Sequence, residues 1–86
     1  MTIAVILADD HPMVRDGLRV VLERDPDIAI VAEVEDGESA VRLTEQLKPD
    51  VVIMDVGLPK VNGIKATRRI RSMTAAKVVG LSIRRD

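Results

Sequence analysis

Two nearly unbroken apolar runs, each closed by carboxylates, constrain this chain more than any other feature. Ile3 to Ala8 runs directly into Asp9 and Asp10, and Val51 to Met54 runs directly into Asp55. Apolar, β-branched runs without polar alternation are what strands buried on both faces of a parallel sheet require. In an open parallel sheet the carboxyl ends of neighbouring strands form the crevice where ligands sit, so the two runs would deliver their acids to one place. Asp9, Asp10 and Asp55 are therefore the first candidate site residues.

The rest of the chain supplies the crossovers that parallel strands need. Pro12 fits the first position of a helix, where its missing N–H costs nothing. Val14, Leu18, Val21 and Leu22 follow at the spacing of one helical face, with Met13 partly core-facing, and Pro26 closes helix 1. Ile28 to Val34 is predicted as strand 2, with Asp36-Gly37 as turn and helix cap. Ala40, Val41, Thr44 and Leu47 line helix 2, which must stop before Pro49 because a residue preceding proline is pushed out of the helical region. Strand 3 is Val51 to Met54. The stretch Gly57-Leu58-Pro59-Lys60-Val61-Asn62-Gly63 reads as a loop over the site, with Gly57, Asn62 and Gly63 as turn residues that permit positive φ. Ile64 to Met73 is helix 3, carrying apolar Ile64 and Ile70, and Lys77 to Ser82 is strand 4. The alternation β-α-β-α-β-α-β predicts an α/β, doubly wound parallel sheet in one domain over residues 1–86, with no repeat and no linker.

Composition narrows the function classes. A chain of 86 residues holds one small core, and 47% hydrophobic with 31% charged residues is ordinary for a folded globular protein. There is no cysteine, which removes disulfides and thiolate metal sites. Net charge is -1, so no overall field favours nucleic acid or an anionic membrane, and the absence of Phe, Tyr and Trp removes any stacking platform for bases. No apolar stretch approaches the roughly 18 residues of a membrane span, and a signal peptide is not evident, so no membrane partner and a cytoplasmic setting are expected.

Three carboxylates in one crevice need a counterion. Two of them about 4 Å apart repel by ~4 kcal/mol at an effective dielectric near 20. Hard oxygen ligands favour Mg²⁺, with Mn²⁺ as the alternative, and Mg²⁺ characteristically completes its shell with water and phosphate oxygens. Phosphoryl transfer follows, with one carboxylate as nucleophile, and Asp55 stands alone at its strand end. Ser82 would place a hydroxyl at the same sheet edge. His11 sits beside the acids, but a single histidine without a second ligand is more often a loop residue, and it is left out of the chemistry. Lys65, Arg68, Arg69 and Arg71 are read as the solvated face of helix 3.

Asp9-Asp10 after strand 1, Asp55 after strand 3, Pro59 four residues on, Gly63 four beyond that and Ser82 after strand 4 together resemble the receiver domain of bacterial two-component response regulators. The segments Ala8 to Leu18 and Ala66 to Arg71 resemble the branch whose receivers precede a LuxR-type helix-turn-helix domain. The resemblance implies a flavodoxin-like sheet of order 2-1-3-4-5, of which this sequence supplies strands 1 to 4 and helices 1 to 3. It implies that Asp55 accepts a phosphoryl group from a sensor histidine kinase, that Asp10, Asp55 and the Gly57 carbonyl bind Mg²⁺ directly and Asp9 through water, and that Ser82 is the switch hydroxyl. Gly57 and Arg84 would influence how fast the phosphoryl group is lost. Control of transcription would run through a helix-turn-helix output domain outside this sequence. Strand 5 of the receiver, with its charge-pairing lysine, is also outside it, which should slow phosphorylation, and Lys77 begins strand 4, at the wrong edge to replace that lysine.

Two other classes fit these residues less well. A haloacid dehalogenase-type phosphatase also uses a strand-end Asp and Mg²⁺, but places its second acid two residues after the nucleophile, and position 11 is His. Nucleotide binding lacks both GxxxxGK[ST] and GxGxxG. The remaining alternative is a truncated receiver acting only as an interaction or assembly module, and the apolar strand Val78-Val79-Gly80-Leu81, left as an open edge, predicts a homodimer or swapped assembly.

Overall fold

The computed structural model describes residues 1–58 and 62–81. Four strands and three helices alternate: β1 (Ile3–Ala8), α1 (Pro12–Leu22), β2 (Ile28–Val34), α2 (Gly37–Leu47), β3 (Val51–Asp55), α3 (Gly63–Met73) and β4 (Lys77–Leu81). All strand pairings are parallel, in the order β2-β1-β3-β4. This is the doubly wound α/β sheet expected from the alternation. The register with β2 shifts between Val5 and Ile6, where Val31 is the extra residue of a bulge.

Alternate residues of the two central strands serve opposite faces. Ile6, Ala8, Val52 and Met54 share one buried cluster with Ala40 and Val41 of α2 and Ala66 and Ile70 of α3. Val5 and Leu7 are also buried but lie outside that cluster, on the other face. Right-handed crossovers put α1 on that second face, because β2 lies to one side of β1 and the chain then doubles back to β3 on the other. Ion pairs show the same placement: Leu7 is in register with Glu33, and Glu33 meets Arg15 and Arg19 of α1.

Helix boundaries follow local chemistry. Asp36 caps α2, accepting the Ser39 N–H at 2.7 Å, and Asn62 caps α3, accepting the Lys65 N–H at 3.0 Å. Helix α2 ends at left-handed Lys48 (φ 48°), immediately before Pro49. Thr44, polar and fully buried, donates to the Ala40 carbonyl at 2.6 Å.

Several expectations of burial need correction. Helix α1 has no buried residue: Val14, Leu18 and Leu22 are half-buried, while Met13 and Val21 are 87% and 60% exposed. Among the described residues no second helix packs beside it, so a helical stripe covers strand without being covered itself. Leu47 and Ile64 are exposed rather than core, and small Ala66 takes the buried place beside Ile70 because α2 and α3 approach closely. Leu58, assigned to a loop, is buried in the main cluster. No glycine among the described residues has positive φ, so Gly57 and Gly63 are not there for the left-handed region, and Asn62 is extended at φ -65°. Gly63 is required for space. A Cβ on it would meet the Asp55 carbonyl oxygen and lie 2.5 Å from Val56 Cα.

Candidate functional site

The acids are assembled from two strand ends at the junction of β1 and β3. In the order β2-β1-β3-β4 this junction is where the crossovers reverse direction, the switch point at which open α/β sheets bind ligands. Asp9 leaves β1, but its N–H still donates to the Val34 carbonyl of β2 at 3.0 Å. Asp55 is the last residue of β3, held by its pairing with Leu81 and by the start of α3, where Gly63 N–H donates to the Val56 carbonyl at 3.2 Å. That close approach is what the missing Gly63 side chain permits.

Asp9 and Asp55 are almost fully buried and Asp10 is exposed. One Asp55 oxygen, Oδ1, accepts the Gly57 N–H at 2.9 Å. Asp9 Oδ1 accepts the backbone N–H of His11 at 2.7 Å. The His11 Nδ1 lies 2.8 Å from Asp9 Oδ1, 2.9 Å from Asp10 Oδ1 and 3.7 Å from Asp55 Oδ2. One ligand atom from each of these four residues falls within 4.8 Å of the others.

A bound cation fits this donor set. Asp9 Oδ2 is buried with no hydrogen-bond partner, a state that costs about 1–3 kcal/mol unless an ion or water satisfies it. Carboxylate oxygens are hard ligands of the kind that divalent cations take. The acidic cluster can therefore hold a metal ion.

The expected acids Asp9, Asp10 and Asp55 do come together, and Gly57 lies beside them. Ser82, Arg84, Pro59 and Lys60 lie outside the described residues. Lys77 begins β4 and pairs with Val51, at the end of the sheet away from the acids, as expected. His11, a loop residue on its sequence, has its ring at the hub of the cluster. The signal available was its position directly after the acid pair, where the chain must turn back into α1. A surface depression of about 790 Å³, lined by Ile3, Pro49, Met73 and Ala76 among others, is at the opposite, amino end of the strands. Ligand chemistry on such sheets belongs to the carboxyl edge, so the acids rather than this hollow define the site.

Fold and acid edge together define a class: a flavodoxin-like α/β module with a carboxylate cluster at its switch point. The sequence matches the response regulator receiver domain over residues 5–86, and the chain belongs to that family. It is 45% identical over 85 residues to the transcriptional regulatory protein DegU of Brevibacillus brevis, covering 98% of this chain and 36% of DegU. A LuxR-family two-component response regulator from Aurantimonas sp. SI85-9A1 superposes with a TM-score of 0.90 at 43% identity, over 99% of this chain and 61% of that one. The response regulator domain of Thermotoga maritima CheB gives a TM-score of 0.91 at 34% identity, over 95% and 61%. The chain thus spans about a third of the length of a curated relative, and the LuxR-type branch expected from residues 8–18 and 66–71 is borne out. Among the described residues no helix is long and apolar enough to cross a membrane.

Proposed function

We propose that this chain is a phosphoacceptor signalling module in which Asp55 takes a phosphoryl group from the phosphohistidine of a sensor histidine kinase. The observation that carries the reading is the convergence of Asp9, Asp10 and Asp55 at the β1/β3 edge in a chain of the receiver family. In the transfer a carboxylate oxygen of Asp55 bonds to phosphorus while the P–N bond of phosphohistidine breaks, and the imidazole leaves with the electron pair. One Asp55 oxygen would attack phosphorus while the other holds the cation; Oδ1 accepts the Gly57 N–H and Oδ2 lies on the side of the other acids. Asp10, Asp55 and the Gly57 carbonyl would hold Mg²⁺ or Mn²⁺ directly, and Asp9 through water. Such a cation supplies charge neutralisation for the entering phosphoryl oxygens. Ser82 would hydrogen-bond one of those oxygens as the switch hydroxyl. On this reading the chain is a cytoplasmic regulatory acceptor rather than an enzyme. Control of transcription, through an output domain beyond this sequence, would match DegU, a transcriptional regulatory protein.

Incubation with a small acyl phosphate and Mg²⁺, followed by intact-mass measurement, tests the assignment. One added phosphoryl group, absent without Mg²⁺ and absent in Asp55→Asn, is expected. Equal labelling of Asp55→Asn would overturn it. A second reading, an assembly module that does not switch, is favoured by one feature: β4 is an outer strand of the described sheet and Val79 on it is 49% exposed. Persistent absence of labelling together with a concentration-dependent dimer would select that reading.

A further inference from the structure

Arg15 reaches the backbone of the acid cluster from the first turn of α1. Its Nη1 donates to the main-chain carbonyl of Asp9 at 2.9 Å. The same Nη1 lies 3.3 Å from Glu35 Oε1, and Nε, buried without a hydrogen-bond partner, faces Glu33 Oε1 across 3.8 Å as an ion pair. The guanidinium therefore joins α1, the end of β2 and the peptide that carries the buried Asp9 carboxylate. The N–H of Asp9 is already bound to Val34 of β2. Asp9 is thus held at both ends of its backbone, at its N–H by β2 and at its carbonyl by Arg15.

We propose that Arg15 is a positioning residue for the cation site, fixing the Asp9-Asp10 peptide so that its carboxylates face Asp55. The inference rests on the proposed reading of the acids as a cation site. The sign of the effect separates positioning from charge. As a charge, a guanidinium beside three carboxylates opposes an incoming cation, and deleting it should tighten binding. As a strut it is needed, and deleting it weakens binding. A planar fork whose donors have fixed directions can join a carbonyl to two carboxylates, which the point charge of a lysine does less well.

Arg19, one turn further along α1, is the control. It carries the same charge and also contacts Glu33, at 3.1 Å, but its second partner is Asp16 at 3.0 Å rather than the Asp9 peptide. Mg²⁺ titration followed by amide NMR on the whole chain compares the parent protein with Arg15→Ala, Arg15→Lys and Arg19→Ala. Supports around metal ligands typically contribute 10–100-fold to affinity, so Arg15→Ala should bind about tenfold more weakly, with Arg15→Lys between it and the parent. Arg19→Ala should bind as the parent does or more tightly. The cation-free spectrum of Arg15→Ala should also show shifted Asp9 and His11 amides. Equal or tighter binding by folded Arg15→Ala would overturn the proposal. Should Arg15→Ala not fold, parent-like affinity in Arg15→Lys would overturn it equally. Unchanged Mg²⁺ binding in Asp10→Asn is a separate result, which removes the cation site and this inference with it.

Discussion

Replacing Gly63 by alanine tests how the end of β3 is held. The new Cβ would lie 2.5 Å from Val56 Cα and 3.0 Å from the Asp55 carbonyl carbon, and neither backbone atom can rotate away as a side chain would. Relief requires α3 and the end of β3 to separate by roughly 0.5–1 Å, a form of overpacking that costs about 1–3 kcal/mol. Taking about 2 kcal/mol, and about 4–8 °C of melting temperature per kcal/mol for a domain of this size, the expected fall is about 8–16 °C. Gly17 provides the opposite case, since a Cβ there would meet nothing within 4 Å. It lies within α1, where alanine is favoured over glycine by about 0.5–1 kcal/mol, so Gly17→Ala should melt a few degrees higher. Far-UV circular dichroism is the assay, because the chain has no Trp or Tyr to report by fluorescence. An unchanged melting temperature in Gly63→Ala would refute the argument that space at this junction demands glycine.

Asp10→Asn and Asp55→Asn should each abolish Mg²⁺ binding by removing a charged oxygen ligand, and unchanged titration curves in both would take the acids out of the chemistry. Asp36→Ala should lose about 1 kcal/mol of stability in urea unfolding, since its carboxylate accepts the Ser39 N–H and hydroxyl at the start of α2; no change in midpoint would mean that water replaces the cap at no cost. The β4 edge predicts self-association that grows with concentration in light scattering and is reduced by Val79→Lys, and a monodisperse parent monomer at high concentration would sink that idea.

The alternation of elements, the parallel sheet and the convergence of Asp9, Asp10 and Asp55 are all legible in the chain before it folds. These depend on local information: runs too apolar for anything but a doubly buried strand, Pro and Asp at helix starts, and acids at the strand ends. Asp36 as a cap and the end of α2 before Pro49 were legible for the same reason. Burial on the helices depends on packing, because an apolar stripe shows which side would face a core but not whether a neighbour covers it. Thus Met13, Val21, Leu47 and Ile64 are exposed, whereas Ala66 and Leu58 are buried. Gly63 was readable as a glycine that matters, but its reason, backbone approaching backbone between α3 and β3, exists only once the two are packed. His11 and Arg15 differ from the acids in the same way. Their spacing carries no ligand pattern, and it is the turn from β1 into α1, closed against β2, that brings an imidazole and a guanidinium onto the Asp9 backbone and carboxylate.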